Sequence, residues 1–312
     1  MRSLIAQHGW RLALLLITLP TLLTLGSVVV SYGAGNSDAL AHLVRYVLPG
    51  SLLNSLALTA GVCVAAAVIG VALAWLTVTC DFPLRGFFAW ALFLPMAVPG
   101  YVMAFAFVGL FEYAGTLHSL LRRSWPELGW LGSVNAYPYV VLVLALVLYP
   151  YVYLLARNAF QTLGQRSIEA GQSLGLSVRQ SFFKVALPLA RPWIVGGVLL
   201  VAMETLADFG TVAVFNYDTL TTAIYQAWFS LFSIATALNI AGLLLLLVIV
   251  VIVLERYSRR QRRYAEQRNS AQRASRLQLT AAKQAMALLF CALVFSLAFV
   301  LPVLQLVLWA LP

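Results

Sequence analysis

The sequence predicts an all-α integral membrane protein, and three observations support this fold class. Of its 312 residues, 62% are hydrophobic and 10% are charged, whereas a soluble domain is about 45–50% apolar and about 25% charged. Several apolar runs reach the length of about 20 residues that a helix needs to cross a bilayer. A transmembrane barrel would show segments of alternating polarity, but the run LLLLLVIVVIVL at 243–254 does not alternate.

Each apolar run is expected to form a helix, because backbone groups within lipid must find hydrogen-bond partners inside their own segment. The predicted spans lie near residues 12–31, 51–77, 86–111, 136–156, 193–215, 232–254 and 285–311. The first run follows basic residues, as in a signal peptide, but no clear cleavage site closes it, so we predict a retained span. In the third run Pro95 and Pro99, with Gly100 beside them, predict a kinked helix.

The basic residues are distributed unevenly between the two sides of this topology. The chain has 20 Lys and Arg, 10 Asp and Glu, and a net charge of +10. With a cytoplasmic N-terminus and alternating spans, seventeen basic residues lie in cytoplasmic segments, and Arg45, Arg122 and Arg123 lie outside. This excess follows the positive-inside rule. It predicts a multi-pass protein with a cytoplasmic N-terminus, and it explains the basic composition without a nucleic-acid partner.

The spans and charges divide the chain into three predicted regions. Residues 1–254 form a six-span unit, and residues 255–284 form a linker with nine basic residues. We interpret the linker as a solvated connector, with contact to anionic membrane lipid as the alternative. Residues 285–312 form a seventh span that looks like the opening of a second bundle, and a protein with seven spans is the alternative.

Motifs for catalysis and cofactor binding are missing from the sequence. A P-loop needs Gly-Lys-Ser/Thr after a glycine-rich turn, whereas Lys184 and Lys283 follow a phenylalanine and an alanine. The sequence ADFG at 207–210 contains a kinase-like triplet but lacks the other kinase motifs. The three histidines are scattered, and the three cysteines have no metal-ligand spacing. We therefore expect no enzyme activity, no cofactor and no metal site in this chain.

A polar segment, 159–191, separates the fourth and fifth spans on the predicted cytoplasmic side. Residues 168–174 are expected to form a short helix, and Gly175 can supply the positive φ that ends it. Ser177 can then cap a second short helix. The segment is thus predicted to be a helix–turn–helix at the membrane surface.

Two features of this segment bear on what it contacts. Pro188 and Pro192 are expected to stop the second helix before the fifth span. The small residues Ala170 and Gly171 would allow another surface to approach the first helix closely. The segment is therefore interpreted as a docking element, with an ordinary interfacial loop as the alternative.

The same segment resembles the cytoplasmic signature of permease subunits of binding-protein-dependent ABC importers. That signature is Glu-Ala-Ala, three residues, Gly, nine residues, an aliphatic residue, one residue and Leu-Pro. The matching positions are Glu169, Ala170, Gly171, Gly175, Val185, Leu187 and Pro188. Every spacing agrees, and the one departure is Gly171, which stands in place of the second alanine.

The resemblance implies a fold, a location and a set of partners. The fold would be the six-span ABC importer permease bundle, here with one additional C-terminal span, in the inner (plasma) membrane. The segment would be a coupling loop that enters a cleft on a separate cytoplasmic ABC ATPase dimer. A periplasmic or extracellular substrate-binding protein would deliver substrate, and a second permease half or copy would complete the pathway. ATP hydrolysis would belong to the ATPase, so this chain would not be an enzyme.

A second resemblance covers about residues 50–260 and concerns the substrate. The stretches SLLNSLALTAGVCVAAAVIGVALAWLTVTCDFPLRG, LYPYVYLLARNAF and ADFGTVAVFNYDTLTTAIYQAWF are similar to ferric iron permeases. These group with permeases for thiamine, sulfate and molybdate, which are alternatives. Ferric iron permeases are commonly one chain with two six-span halves. The linker and the seventh span would then begin a second half, unless the chain pairs with itself or with a separate partner.

Two acidic residues in the fifth span are candidates for the translocation path. At 100° per residue, Glu204 and Asp208 lie about 40° apart on one helix face. Acids near the bilayer centre usually face a cavity, and carboxylate oxygen suits a hard trivalent cation. The alternatives are that Asp208 caps a helix break near Gly210, or that Glu204 bonds a neighbouring span.

Other polar residues in or near the spans have separate expected roles. Asn54 and Asn239 are predicted to make interhelical hydrogen bonds. Tyr217 and Asp218, just outside the fifth span, could contact a binding protein. Two rival functions remain at this point: an ion-driven secondary transporter, which would need inverted repeats with broken helices, and a membrane anchor that does not transport.

Overall fold

A computed structural model of the chain describes residues 2–31, 45–111, 136–164, 171–173, 175–260 and 276–311. Most of these residues are helical. The predicted outer loop 112–135, including Arg122 and Arg123, and residues 261–275 of the basic linker lie outside the described residues.

The helices are numbered here in chain order. They are α1 Arg2–Ser31, α2 Leu48–Thr79, α3 Arg85–Ala91, α4 Gly100–Phe111, α5 Ala136–Ala159, α6 Val178–Ala207, α7 Gly210–Val214, α8 Leu220–Tyr225, α9 Ile234–Arg260 and α10 Ala281–Ala310. A 3-10 turn, Leu94–Ala97, lies between α3 and α4. The strands β1 Cys80–Asp81 and β2 Leu277–Gln278 form one short parallel pair.

Within the described part of the chain, five helices are long and apolar enough to cross a membrane: α2, α5, α6, α9 and α10. The pair α3 and α4 would make a sixth span if it crosses as one unit. The first predicted span forms α1, whose described apolar part, Leu14–Val28, is shorter than a full span. The predicted all-α membrane fold class is therefore confirmed.

The third predicted span is broken rather than gently kinked. The part Arg85–Ala97 and the helix Gly100–Phe111 are bent by 96° relative to each other. Val98, between them, is extended at φ −99° and ψ 119°, because a residue that precedes proline is pushed out of the helical region. The prolines therefore act here as predicted, but the bend separates two helices.

The fifth predicted span begins earlier than expected, and this corrects one prediction. Pro188 and Pro192 do not stop a short helix, because α6 continues through both. A π turn, Phe182–Ala186, precedes Pro188, and the Leu187 N–H donates to the Phe182 carbonyl. In a π turn each N–H bonds to the carbonyl five residues earlier, instead of four, and the helix is locally wider. This relieves the clash between a proline ring and the carbonyl four residues before it. α10 shows the same arrangement, with a π turn Ser296–Val300 just before Pro302.

The chain separates into two compact units, each with its own core. Unit 1 comprises Met1–Asn54 and Asp218–Ile249. Its core is formed by small and aliphatic side chains of α8, the π turn after α8, and α9: Leu220, Ala223, Ala227, Ala237 and Ile240. The Ser31 hydroxyl donates to Asn239 Oδ1 at 3.2 Å. This bond joins α1 to α9, and it confirms the predicted interhelical role of Asn239.

Unit 2 comprises Ser55–Tyr217 and Val250–Pro312, and α5 lies at its centre. In α5, 67% of an 18-residue apolar stretch is buried, against 28–33% of the corresponding stretch in the other four long spans. Two glycines let neighbouring helices approach α5 closely. A Cβ on Gly70 of α2 would lie 2.9 Å from the Tyr153 nitrogen, and one on Gly197 of α6 would lie 2.8 Å from Val152 Cα. Small residues at helix contacts are typical of membrane bundles.

The seventh predicted span, α10, packs into the core of unit 2. Cys291, Val294 and Ala298 on this helix are buried in the same cluster as the side chains of α5. The backbone pairing of β1 with β2 ties the residues just before α10 to the end of α2. Within this unit, the helix after the basic linker is thus held by contacts to spans two to four.

Candidate functional site

The predicted coupling loop is described from Gly171 onward, apart from residue 174, and Glu169 and Ala170 lie outside the described residues. Residues 171–173 are helical. The Leu176 N–H donates to the Gly171 carbonyl at 3.0 Å, and the Gly175 N–H donates to the Gln172 carbonyl at 2.9 Å. These two bonds form a Schellman motif, which ends a helix with a residue at positive φ.

The two glycines of the loop have different physical roles. Gly175 has φ +80°, and a Cβ there would meet no atom within 4 Å, so the turn requires glycine for its backbone conformation alone. Gly171 is buried, and a Cβ there would lie 2.6 Å from the Ser181 hydroxyl. Close packing against Ser181 therefore explains why glycine stands where the permease signature has its second alanine.

Ser177 caps the next helix, as predicted. Its hydroxyl accepts from the Gln180 N–H at 3.3 Å, and the Gln180 side chain accepts from the Ser177 N–H at 2.9 Å. This capping box satisfies two donors at the start of α6. The loop therefore has a fixed local shape, with one helix end, one left-handed residue and one capped helix start.

The first turns of α6 present a mixed surface. Arg179, Phe183 and Lys184 are exposed, and 55% of the Phe183 side chain is accessible. Among the remaining signature positions, Val185 and Leu187 are half-buried, whereas Pro188 is exposed. This surface combines positive charge with an exposed aromatic ring, which is a suitable composition for contact with another protein.

Three aromatic rings connect the base of the loop to two other helices of unit 2. The Phe182 ring lies 4.4 Å from the Trp75 ring of α2 and 6.3 Å from the Phe160 ring at the end of α5. Trp75 and Phe160 also meet edge to face at 5.6 Å. Such pairs contribute about 0.5–1.5 kcal/mol each beyond their buried area. Displacement of the loop would therefore be transmitted to α2 and α5.

The second candidate region is a cavity of about 160 Å³ inside unit 2. It is lined by residues of the third, fourth and fifth spans: Met96, Val98, Pro99, Gly100, Leu144, Val147, Leu148, Tyr151, Glu204 and Asp208. Both acids proposed for the path thus line one cavity. Glu204 is exposed and Asp208 is half-buried.

The arrangement of the two acids differs from the predicted one. They do not share a helix face, because α6 ends at Ala207 and Asp208 is extended at φ −68° and ψ 127°. The Thr211 hydroxyl donates to Asp208 Oδ1 at 2.9 Å, and the Val212 N–H donates to Oδ2 at 3.1 Å. Asp208 therefore caps a helix break beside Gly210, which was the alternative interpretation. The extended backbone carries Asp208 off the helix face that holds Glu204.

The breaks in the third and fifth spans contact each other beside the cavity. A Cβ on Gly100 would lie 2.9 Å from Thr211 Oγ1 and 3.5 Å from Asp208 Oδ1. On the other side, a Cβ on Gly210 would lie 2.7 Å from Tyr101 Cβ. Each break thus presents a glycine to the other, and the two can approach only because neither carries a side chain.

The cavity offers few groups to a cation. Among the described residues, no cluster of three or more His, Cys, Asp or Glu side chains could hold a metal ion. Asp208 already accepts hydrogen bonds on both carboxylate oxygens. Glu204 lines the same cavity and is exposed, so its carboxylate is the more accessible of the two acids.

The other predicted polar residues are placed as follows. Asn54 Nδ2 donates to the Asp218 carbonyl at 2.9 Å, so it bonds the segment before α8 rather than a neighbouring helix. The Tyr217 ring is half-buried 6.0 Å from the Tyr137 ring, and Asp218 is exposed. The role of these last two residues in contacting a binding protein stays a prediction.

Sequence reasoning missed the aromatic contacts of Phe182 and the facing glycines. Phe182 and Trp75 are far apart in the chain, and nothing in either local stretch indicates that they meet. Gly100 and Gly210 each stand beside a predicted helix disruption, which was the available signal. Their pairing follows only from the packing of α4 against α7.

Comparison with known proteins identifies similar chains. A family model described as "Binding-protein-dependent transport system inner membrane component" matches residues 66–263. The chain is 27% identical over 300 residues to "Fe(3+)-transport system permease protein FbpB 2" of Haemophilus influenzae, covering 96% of this chain and 55% of the relative.

Shorter matches involve two other kinds of relative. The chain is 30% identical over 147 residues to "Sulfate transport system permease protein CysT" of Salmonella typhimurium, covering 46% of this chain and 50% of that protein. It is also 30% identical over 147 residues to "Molybdenum transport system permease protein ModB" of Azotobacter vinelandii, covering 46% of this chain and 62% of that protein. The chain thus spans about half the length of the curated relatives it matches.

Proposed function

The chain belongs to the family of binding-protein-dependent transport system inner membrane components, and on this basis we propose that it is the transmembrane permease of an ATP-driven ABC importer for ferric iron. The observation that supports ferric iron as the substrate is the similarity to a ferric iron permease along 96% of the chain. The similarities to sulfate and molybdate permeases cover 46–69% of it.

The segment 169–188 is the proposed coupling loop, with Glu169, Ala170, Gly171, Gly175, Val185, Leu187 and Pro188 as its signature residues. Its support is the fixed local shape of the Schellman turn and the capping box. The exposed side chains Arg179 and Phe183 form the proposed contact surface for a cytoplasmic ABC ATPase dimer. This assignment places the N-terminus in the cytoplasm, in agreement with the distribution of basic residues.

A single helix links this loop to the cavity. α6 runs from Val178 to Ala207, with a π turn near its start, and from Phe182 to Glu204 it extends about 33 Å at 1.5 Å per residue. Movement of the loop would therefore reach the cavity directly through α6, and would reach α2 and α5 through the Phe182 contacts. We propose that this linkage converts ATPase closure into alternating access.

The cavity beside the two helix breaks is the proposed translocation path. Glu204 would attract the cation electrostatically, since carboxylate oxygen is a suitable ligand for a hard trivalent ion. Asp208 would hold the break in the fifth span through Thr211 and Val212. The role proposed for Glu204 is contact with substrate, and that proposed for Asp208 is the positioning of the path.

The remaining partners are proposed from family membership. A soluble binding protein would deliver substrate on the outer side, where Tyr217 and Asp218 lie in the proposed topology. A second permease half or copy would face this one, with residues 1–254 as the first half, 255–284 as the linker and 285–312 as the first span of a second half.

Uptake by reconstituted vesicles tests the proposed function. The permease, co-expressed with its ATPase and any permease partner, is placed in proteoliposomes with the binding protein outside, and radioactive iron uptake is measured with and without ATP inside. The proposal predicts uptake that requires ATP and resists excess sulfate or molybdate. Competition by either oxyanion, or uptake driven by an ion gradient without ATP, would contradict it.

A further inference from the structure

Arg85, near the paired strands, lies within electrostatic range of two other arginines of unit 2 that are distant from it in sequence. Arg85 begins α3, Arg157 lies in the last turn of α5, and Arg276 immediately precedes β2. The parallel pairing of Cys80 with Leu277 fixes the backbone of the linker end beside the end of α2. Arg276 is thereby brought close enough to Arg85 for their charges to interact.

The charge of this cluster is not balanced by the acid beside it. Arg85 Nε lies 3.9 Å from Asp81 Oδ1, and Arg85 Nη1 donates to the Thr77 carbonyl at 2.9 Å. Three guanidinium groups thus share this region with one carboxylate. A net positive charge therefore remains at the cluster, and a bound anion would lower the electrostatic energy.

Arg157 adds an unused hydrogen-bond donor. Its guanidinium lies over the Phe93 ring at 5.7 Å. Its Nε atom is buried, and among the described residues it has no hydrogen-bond partner. A buried donor without a partner costs about 1–3 kcal/mol. The Arg157 residue as a whole is half-buried rather than fully buried, so part of its side chain stays open to an outside oxygen acceptor.

The neighbouring surface is apolar and exposed. Phe87 and Trp90, which follow Arg85 along α3, are 41% and 56% exposed, and their rings meet at 5.5 Å. The Phe87 ring also contacts Phe295 of α10 at 5.7 Å. Aromatic side chains next to cationic ones are typical of the boundary between lipid headgroups and acyl chains. A free inorganic anion would use the arginines but not this aromatic surface.

From this juxtaposition we propose that Arg85, Arg157 and Arg276 bind the phosphate of one anionic phospholipid, with its acyl chains along Phe87 and Trp90. Guanidinium groups suit phosphate because their planar forks can donate two parallel hydrogen bonds. In the proposed topology the cluster faces the cytoplasmic leaflet, whose anionic lipids attract positively charged side chains. The bound lipid would join the linker end to α3 and α5.

Native mass spectrometry of the purified full chain tests this site. The protein is exchanged into nanodiscs of phosphatidylcholine with increasing phosphatidylglycerol, released, and scored for retained lipid. Arg276→Gln is the principal variant, because Arg276 is exposed. Removing one basic contact at a membrane surface is expected to weaken phosphatidylglycerol retention about fivefold. Arg276→Lys should restore part of the retention because it keeps the charge.

Arg191→Gln is the matched control, since Arg191 is an exposed arginine on α6 that is also cytoplasmic in the proposed topology. It should leave retention unchanged, and both variants should keep the melting temperature of the parent. Equal loss in the two variants would show a diffuse charge effect and overturn the site. Displacement by inorganic phosphate would identify a free-anion site instead. Equal retention of phosphatidylcholine and phosphatidylglycerol would overturn the proposal as well.

Discussion

The turn in the proposed coupling loop and the break beside the cavity both depend on glycine, but for different reasons. Gly175 adopts φ +80° in open space, so only its backbone conformation matters. Gly210 lies in a crowded place, where a Cβ would be 2.7 Å from Tyr101 Cβ. The turn is thus determined by neighbours in sequence, and the break by contact between helices that are distant in sequence. The Gly175 turn can therefore change its contacts with another protein while the helix bundle stays in place. The break at Gly210 can move only if α4 and α7 move together.

The largest effect is expected at Asp208, which holds the cavity break. Asp208→Ala leaves the buried Thr211 hydroxyl and the Val212 N–H without their acceptor, and should destabilise the protein by about 2–4 kcal/mol. Asp208→Asn keeps one acceptor oxygen and should fall between Ala and the parent. Thermal unfolding in detergent measures both. An alanine variant as stable as the parent would show that the capping bonds do not hold the break.

Gly210→Ala should come next, with a cost of about 2 kcal/mol from overpacking against Tyr101. Gly86→Ala is the control, because a Cβ on Gly86 meets nothing within 4 Å. Iron uptake and thermal stability should both fall for Gly210→Ala and stay at the parent level for Gly86→Ala. Similar behaviour of the two variants would show that crowding at Gly210 does not hold the break in place.

Gly175→Ala should have a smaller and strictly local effect. Alanine at positive φ costs about 1 kcal/mol, so the Schellman turn should loosen and co-purification of the ATPase should drop several-fold. Asparagine tolerates this conformation better, so Gly175→Asn should retain more of the ATPase. Thermal stability of the bundle should stay unchanged in both. A lower melting temperature with normal ATPase binding would show that Gly175 stabilises the helix bundle and does not shape the contact with the ATPase.

Glu204→Gln should have the smallest effect on stability, because Glu204 is exposed at the cavity. Uptake should nevertheless fall several-fold, since a cation on the proposed path would lose the attraction of this negative charge. Glu204→Asp keeps the charge and should recover part of the rate. Unaltered uptake in Glu204→Gln would remove this carboxylate from the path.

The contrast between local turns and contacts of distant helices also explains which features the sequence could predict. Gly175 and Ser177 were correctly predicted, because Schellman turns and capping boxes involve residues within a few positions of each other. The spans followed from hydropathy. The continuation of α6 through Pro188 was missed because a π turn relieves the clash, and no simple residue pattern indicates such a turn. The contacts of Gly100 with Thr211 and of Phe182 with Trp75 join distant residues, so only the folded chain reveals them.

Labelling at the cavity tests most directly whether the proposed coupling loop controls the proposed translocation path. A Glu204→Cys variant without Cys63, Cys80 and Cys291 is reconstituted with its ATPase, and its reaction with a membrane-impermeant thiol reagent is followed with and without a non-hydrolysable ATP analogue. The account predicts that the nucleotide changes the labelling rate several-fold, and that adding Gly175→Leu abolishes this change while basal labelling persists. Equal rates with and without nucleotide, or a nucleotide effect that survives Gly175→Leu, would contradict it.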